Sequence, residues 1–152
     1  MKAKLVRDLL EEARALSGEF DKLSSAVAER VGLSQADMLA MDVISTAGPV
    51  TAGQLARELH LTTGAITGLI DRLENAGFAR RAADPTDRRR VLVAATAKER
   101  RVGEMYAPLA ANLRRAVEGY SDKDLQTLTE FVARLRSEVA GTTEWVRKPA
   151  RR

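Results

Sequence analysis

Apolar residues recur in steps of three and four over both ends of this chain, and the middle breaks into shorter periods separated by turn signals. From about residue 4 to 30, Leu9, Ala13, Leu16, Phe20, Leu23 and Val27 form the seam of an amphipathic helix. Ser34-Gln35-Ala36-Asp37 reads as a capping-box start, and Met38, Leu39, Met41, Val43 and Ile44 make a second helix that stops at Gly48-Pro49. Thr51 with Gln54 repeats that signature and opens a short third helix through about Leu59. A fourth runs from Thr62 or Thr63 to Asn75, with Gly77 placed to end it. Residues 78 to 96 lose the helical period, and Phe78 to Ala82 and Arg90 to Ala95 flank the turn-rich Asp84-Pro85-Thr86-Asp87, which predicts a β-hairpin. Helical periodicity returns with Val102, Met105, Tyr106, Leu109, Leu113 and Val117, kinked or locally broken near Pro108. Ser121 caps a final helix with Leu125, Leu128, Phe131, Leu135 and Val139 on one face.

The predicted fold is therefore mainly α with a small β-hairpin wing. A winged helix-turn-helix lobe is expected over 34–96, a helical dimerisation region over 1–33 and 97–147, and a basic tail over 148–152. Several of the terminal helices are too long for the central lobe to cover, so their apolar faces are expected to meet a second copy and form a twofold dimer.

Composition narrows the chemistry. With 45% apolar residues the 152-residue chain can build a core. It has no cysteine and one histidine, His60, which excludes disulfides, thiolate metal sites and thiol nucleophiles and argues against a metal centre. No phosphate-binding glycine loop or plausible catalytic triad is present, so neither an enzyme nor a cofactor is expected. The chain opens on charged, helix-like sequence and carries no long apolar span, from which a cytoplasmic protein without membrane association is expected. The formal charge of +4 is mild, but Arg80, Arg81, Arg88, Arg89 and Arg90 fall in one short stretch, as an electrostatic footprint for a polyanion would.

The helix pair between Ala52 and Asn75 carries the strongest signal. Leu55, Ala56, Leu59, Leu61, Ile66 and Leu69 occupy inward positions, with Ile70 and Leu73 continuing the stripe. Thr62, Thr63, Ala65, Thr67, Gly68, Asp71 and Arg72 are left on the outer face. Such a face is hydroxylated and free of bulk, so the helix can enter a major groove while its N-terminal amides meet phosphate. A plain helical hairpin with a solvated outer face fits the same pattern. His60 stands at the turn between the two helices, where glycine is more usual, and is expected to serve as a C-terminal turn residue. In the hairpin, Arg88, Arg89 and Arg90 project from the tip or second strand, where they can reach a minor groove, and Asp84 or Asp87 can hold an arginine in place. A charge run that merely solubilises the hairpin is the simpler alternative.

Three motifs together resemble the MarR family of bacterial regulators: Thr51-Ala52-Gly53-Gln54-Leu55-Ala56, the stretch from Ile66 through Asp71-Arg72-Leu73-Glu74 to Gly77, and Asp84-Pro85-Thr86-Asp87-Arg88-Arg89. The long flanking helices match in pattern. The resemblance implies a homodimer joined through its N- and C-terminal helices, each winged lobe reading one half of a pseudo-palindromic duplex DNA operator. It also implies that Thr62, Thr63, Thr67 and Arg72 lie on or near the recognition surface and that Arg88 or Arg89 enters the minor groove. Many members respond to a small aromatic or phenolic effector and release DNA, so a ligand-responsive repressor is expected; the lack of cysteine removes the peroxide-sensing branch. A winged-helix module that docks on a protein, without sequence-specific DNA binding, is the alternative.

Overall fold

The structure is a computed structural model that describes residues 1–148; most of the expected basic tail lies outside the described residues. The chain divides into two compact units, Met1–Tyr106 and Ala107–Arg152.

The first unit opens with α1 (Lys2–Val31), which ends at Gly32 in the left-handed conformation, φ +71°. The amides of Gly32 and Leu33 fold back onto the carbonyls of Glu29 (3.2 Å) and Ala28 (3.0 Å), so the last turn keeps its acceptors occupied. Helix α2 (Gln35–Ala47) starts from a complete capping box: the Asp37 amide donates to Ser34 Oγ, and the Ser34 amide donates to Asp37 Oδ2. A two-residue strand β1 (Val50–Thr51) leads directly into α3 (Ala52–Leu59), and α4 (Thr63–Asn75), β2 (Ala79–Ala83), β3 (Val91–Ala95) and α5 (Ala97–Glu104) follow. The strands form an antiparallel sheet in the order β1-β3-β2, with Val50 opposite Val93 and Ala79 opposite Ala95. Strand β1 is absent from the expectation because two residues are too few to show a period of two. Thr51 also serves as the N-cap of α3, so its sequence signature is that of a helix start.

One core joins these elements. Ile44 of α2, Leu55 of α3, Ile66, Leu69, Ile70 and Leu73 of α4, and Val93 of β3 are all within 2% of complete burial. Val27 and Ala28 of α1 and Val102 of α5 are buried as well, so the packed region reaches beyond residues 34–96 on both sides. Lys98 covers one edge, with its ammonium 4.3 Å from the centroid of Phe78 and donating to the Ala76 carbonyl (2.8 Å). There a cation meets both an aromatic face and the acceptor-rich end of α4.

The interruption expected near Pro108 falls at Met105 and Tyr106, whose amides close tight turns onto Val102 and Gly103. Pro108 is the second residue of a new helix, α6 (Ala107–Ala116), where the missing amide hydrogen sacrifices no helical bond. In this second unit α7 (Asp122–Arg147) starts from a capping box between Ser121 and Asp124. Neither α6 nor α7 buries a residue, and Leu113, Leu128, Phe131, Val139 and Trp145 are exposed, as are Leu5, Leu9, Leu16 and Phe20 on α1.

Because Leu55 is fully buried at the junction of α3, α4 and the sheet, Leu55→Ala is expected to lose about 2–5 kcal/mol of folding stability and the milder Ile70→Val about 0.5–1.5 kcal/mol. Urea midpoints of the two variants and the parent check this order.

Candidate nucleic-acid interface

The turn between α3 and α4 is fixed by backbone geometry. His60 adopts φ +54° and ψ +41°, its amide donates to the Arg57 carbonyl (3.2 Å), and the Leu61 amide donates to Ala56 (2.9 Å). This is a left-handed helix end, usually glycine because a β-carbon is disfavoured there; His60 is the one non-glycine residue with positive φ among the described residues. Its expected place as a C-terminal turn residue agrees with this conformation. Thr62 then caps α4 by accepting from the Ala65 amide (3.3 Å), and the Ile66 amide reaches the Thr62 carbonyl. The amides of Thr63 and Gly64 lie in the first turn, where no intrahelical acceptor exists, so they remain available to an anion.

The buried stripe of α4 turns the remaining residues outward. Thr62, Thr63, Gly64, Ala65, Thr67, Asp71 and Arg72 are exposed. Thr67 donates its hydroxyl hydrogen to the Thr63 carbonyl (2.9 Å), which orients its methyl group and leaves oxygen lone pairs toward solvent. A β-carbon at Gly64 would meet nothing within 4 Å, and one at Gly68 would meet Arg72 Nη1 at an ordinary 3.9 Å. Neither glycine is required by the protein's own packing, and together they leave the backbone of this face bare.

Two ion-pair systems fix the helix from opposite sides. Arg72 Nη2 lies 2.8 Å from Asp37 Oδ1, linking α4 to the first turn of α2. The Asp37 side chain is 5% exposed. Burial would raise its pKa, but hydrogen bonds from the Ser34 hydroxyl and Arg72, followed by the Ser34 amide and the arginine charge, outweigh burial and hold it below the ordinary value. On the other side, Arg81 of β2 pairs with Asp71 (2.8 Å) and with Glu74, and its amide donates to Glu74 Oε1. Arg81 belongs by sequence to the basic cluster, but two α4 carboxylates neutralise it. The signal was present in the spacing, because Asp71 and Glu74 stand three residues apart on the outer face of one helix.

The wing is a built turn. Asp84 is 7% exposed, and its Oδ1 accepts from the Thr86 amide (2.8 Å) and hydroxyl (2.6 Å). The Thr86 hydroxyl and amide, with the Arg90 charge adding, lower the pKa of Asp84. Asp87 Oδ1 accepts from the Arg89 amide (3.0 Å), and the Arg90 amide returns to the Asp87 carbonyl (2.9 Å). Arg90 Nε stands 3.7 Å from Asp84 Oδ2, so this arginine leans back on the turn. Arg88 and Arg89 are exposed and make no ion pair among the described residues. No group of three or more His, Asp or Glu side chains is arranged to hold a metal ion among the described residues, and none of their helices is long and apolar enough to cross a membrane.

Residues 33–91 match the model of the MarR family. The chain is 37% identical over 110 residues to the HTH-type transcriptional regulator YcgE of Bacillus subtilis (strain 168), an alignment covering 72% of this chain and 71% of that protein. Its fold is similar to that of a MarR family protein from Bacillus stearothermophilus, with a TM-score of 0.67, 20% identity and coverage of 92% and 99% of the two chains. It is similar also to the protein in the S. aureus MepR–DNA complex, with a TM-score of 0.58, 16% identity and coverage of 83% and 96%.

The depressed pKa of Asp37 has a definite pH consequence. Its stabilising contribution is present above the unfolded carboxylate value of about 3.9 and fades as pH falls through the lower folded value. At pH 7, Asp37→Asn is expected to be less stable than the parent by about 1–2 kcal/mol, and that gap should narrow below about pH 4. Urea unfolding of both proteins from pH 7 down to pH 3 measures it; a constant gap contradicts the assignment.

Proposed function

The chain belongs to the MarR family of transcriptional regulators, and from that premise we propose that it is a ligand-responsive repressor that binds a pseudo-palindromic duplex operator as a homodimer. Helix α4 enters the major groove with Thr62, Thr63, Ala65 and Thr67 toward the bases and backbone. Arg72 sits at the flank, held by Asp37, with its remaining donors facing the phosphates. Arg88 and Arg89 reach the neighbouring minor groove, and Arg90, supported with the turn by Asp84 and Asp87, sets their base. The observation that carries this reading is the pairing of a bare outer face on α4 with a wing whose two tip arginines have no ion pair among the described residues. The tie from Arg81 to α4 makes helix and wing one presenting surface.

Dimerisation through the N- and C-terminal helices is supported by the exposed apolar faces of α1 and α7, which water would otherwise cover. The proposed place of action is the cytoplasm, and effector control works by unequal affinity of a ligand for DNA-competent and DNA-incompetent arrangements.

Fluorescence anisotropy on an operator duplex across a range of salt tests the contact assignment. Arg88→Ala and Arg89→Ala are each expected to cost about 1–3 kcal/mol of binding and, where a phosphate contact is lost, to reduce the salt slope by about one. Arg81→Ala is expected to weaken binding with the slope unchanged, since its partners are carboxylates of the same chain. Parent-like binding by both wing variants overturns the wing assignment, and absence of any duplex binding by the parent favours a protein-docking module.

A further inference from the structure

We propose that the His60 imidazolium and the Arg57 guanidinium together hold a backbone phosphate of the operator beside α4, so that this chain binds DNA more tightly as pH falls. The contact rests on the DNA-binding reading above and adds to it a proton dependence that the reading does not require. Where the described backbone takes positive φ the chain carries glycine at Gly32, Gly48 and Gly77, and His60 is the exception, at φ +54° and ψ +41°. Glycine would close this turn without the penalty of a β-carbon. The backbone therefore supplies no reason for a side chain here, and the reason lies in what the imidazole meets.

His60 is exposed and stands two residues before Thr62, the N-cap of α4. With Gly53, Ala56, Arg57, Leu61 and Thr63 it lines one open concavity that runs from the outer side of α3 onto α4. Arg57 and His60 are its titratable side chains, and no carboxylate lines it among the described residues. Glu58, the other charged residue in the last turn of α3, lines instead the groove between α2 and α3 that holds Asp42, a groove Arg57 also borders. Helix α4 carries no charged residue before Asp71, which pairs with Arg81. Arg57 forms no ion pair among the described residues. Its Nη1 would stand 3.8 Å from a β-carbon built at Gly53, so the guanidinium lies over bare backbone, where small residues let a ligand approach.

In helix-turn-helix docking the first helix crosses the DNA backbone while the second enters the groove. With α4 in the groove, the end of α3 and the His60 turn meet that backbone. Charged nitrogen donors on a concave surface without carboxylates suit a phosphate oxygen. Histidine is the side chain whose ordinary charge change falls between about pH 5 and 8, and His60 is the only one in the chain. A phosphate beside an imidazole favours its protonated form. Binding therefore takes up a proton, and affinity rises as pH falls until the imidazole is charged in the unbound protein as well. Arg57 keeps its charge throughout and supplies the part of the contact that does not depend on pH.

Fluorescence anisotropy of the full chain on an operator duplex at about pH 8 and about pH 6, each over a range of salt, tests the site. Parent affinity is expected to rise about threefold per half-site, about tenfold for the dimer, between the two pH values. Its salt slope should steepen by about two, one for each half-site. His60→Asn and His60→Gly both suit a left-handed turn, and each is expected to lose both changes. Arg57→Gln should keep the pH rise and lower the slope at both pH values. The single imidazole Hε1 resonance of the parent reads the proton directly, and operator should hold it in its protonated position to higher pH. Thermal melting confirms that each variant is folded, and if one His60 variant does not fold the other decides. A His60 that only caps α3 would change melting with pH and leave salt slope and resonance unmoved by operator, which overturns the contact. A pH rise that persists in the folded His60 variants overturns it too. Operator binding by the parent without pH dependence overturns the contact and leaves the DNA-binding reading standing, whereas no duplex binding at either pH overturns both.

Discussion

Ile66, Leu69, Ile70 and Leu73 lie on one stripe of α4 and are each no more than 1% exposed. Their burial against α2, α3 and the sheet sets the rotation of the helix about its axis, because turning any of them outward opens a cavity and exposes apolar surface together. Everything on the opposite face follows from that constraint. The threonines, the two unrequired glycines and the free first-turn amides face water because the stripe leaves them no alternative. The αL turn at His60 and the Thr62 cap then fix where the exposed face begins.

Rotation alone does not fix tilt, and here the arginines act. Asp71 and Arg72 are neighbours in sequence, yet they tie α4 in different directions, Arg72 to α2 through Asp37 and Asp71 to β2 through Arg81. Arg72 is 57% exposed, so solvent screens its pair with Asp37 and its contribution to stability is modest. Its value is directional: a buried carboxylate already oriented by the Ser34 cap offers one position for the guanidinium. The wing repeats the device, with Thr86 orienting Asp84 and Asp84 drawing Arg90 back, while Arg88 and Arg89 extend from the tip.

Most of this architecture was legible because the sequence marks its helix ends chemically. Ser34 with Asp37, Thr51 with Gln54 and Ser121 with Asp124 are capping boxes in the structure, and Gly77 takes the expected positive φ beyond α4. The hairpin was visible from its turn residues. Strand β1 was not, since a two-residue strand leaves no period and its second residue doubles as a cap. The individual fates of the arginines were also hidden: a cluster of like residues reports net charge, whereas pairing depends on contacts as distant in sequence as Asp37 and Arg72. Arg81 is internally neutralised, and Arg90 leans on its own turn.

The central claim is that two winged lobes present α4 to successive faces of one duplex. Selection of bound sequences from a random duplex pool, followed by footprinting of the purified protein on the selected site, tests it most directly. The account predicts an inverted repeat with two protected half-sites centred about 10–10.5 base pairs apart or a multiple of that spacing. Recovery of no common sequence, or a single protected half-site at saturating protein, would contradict it.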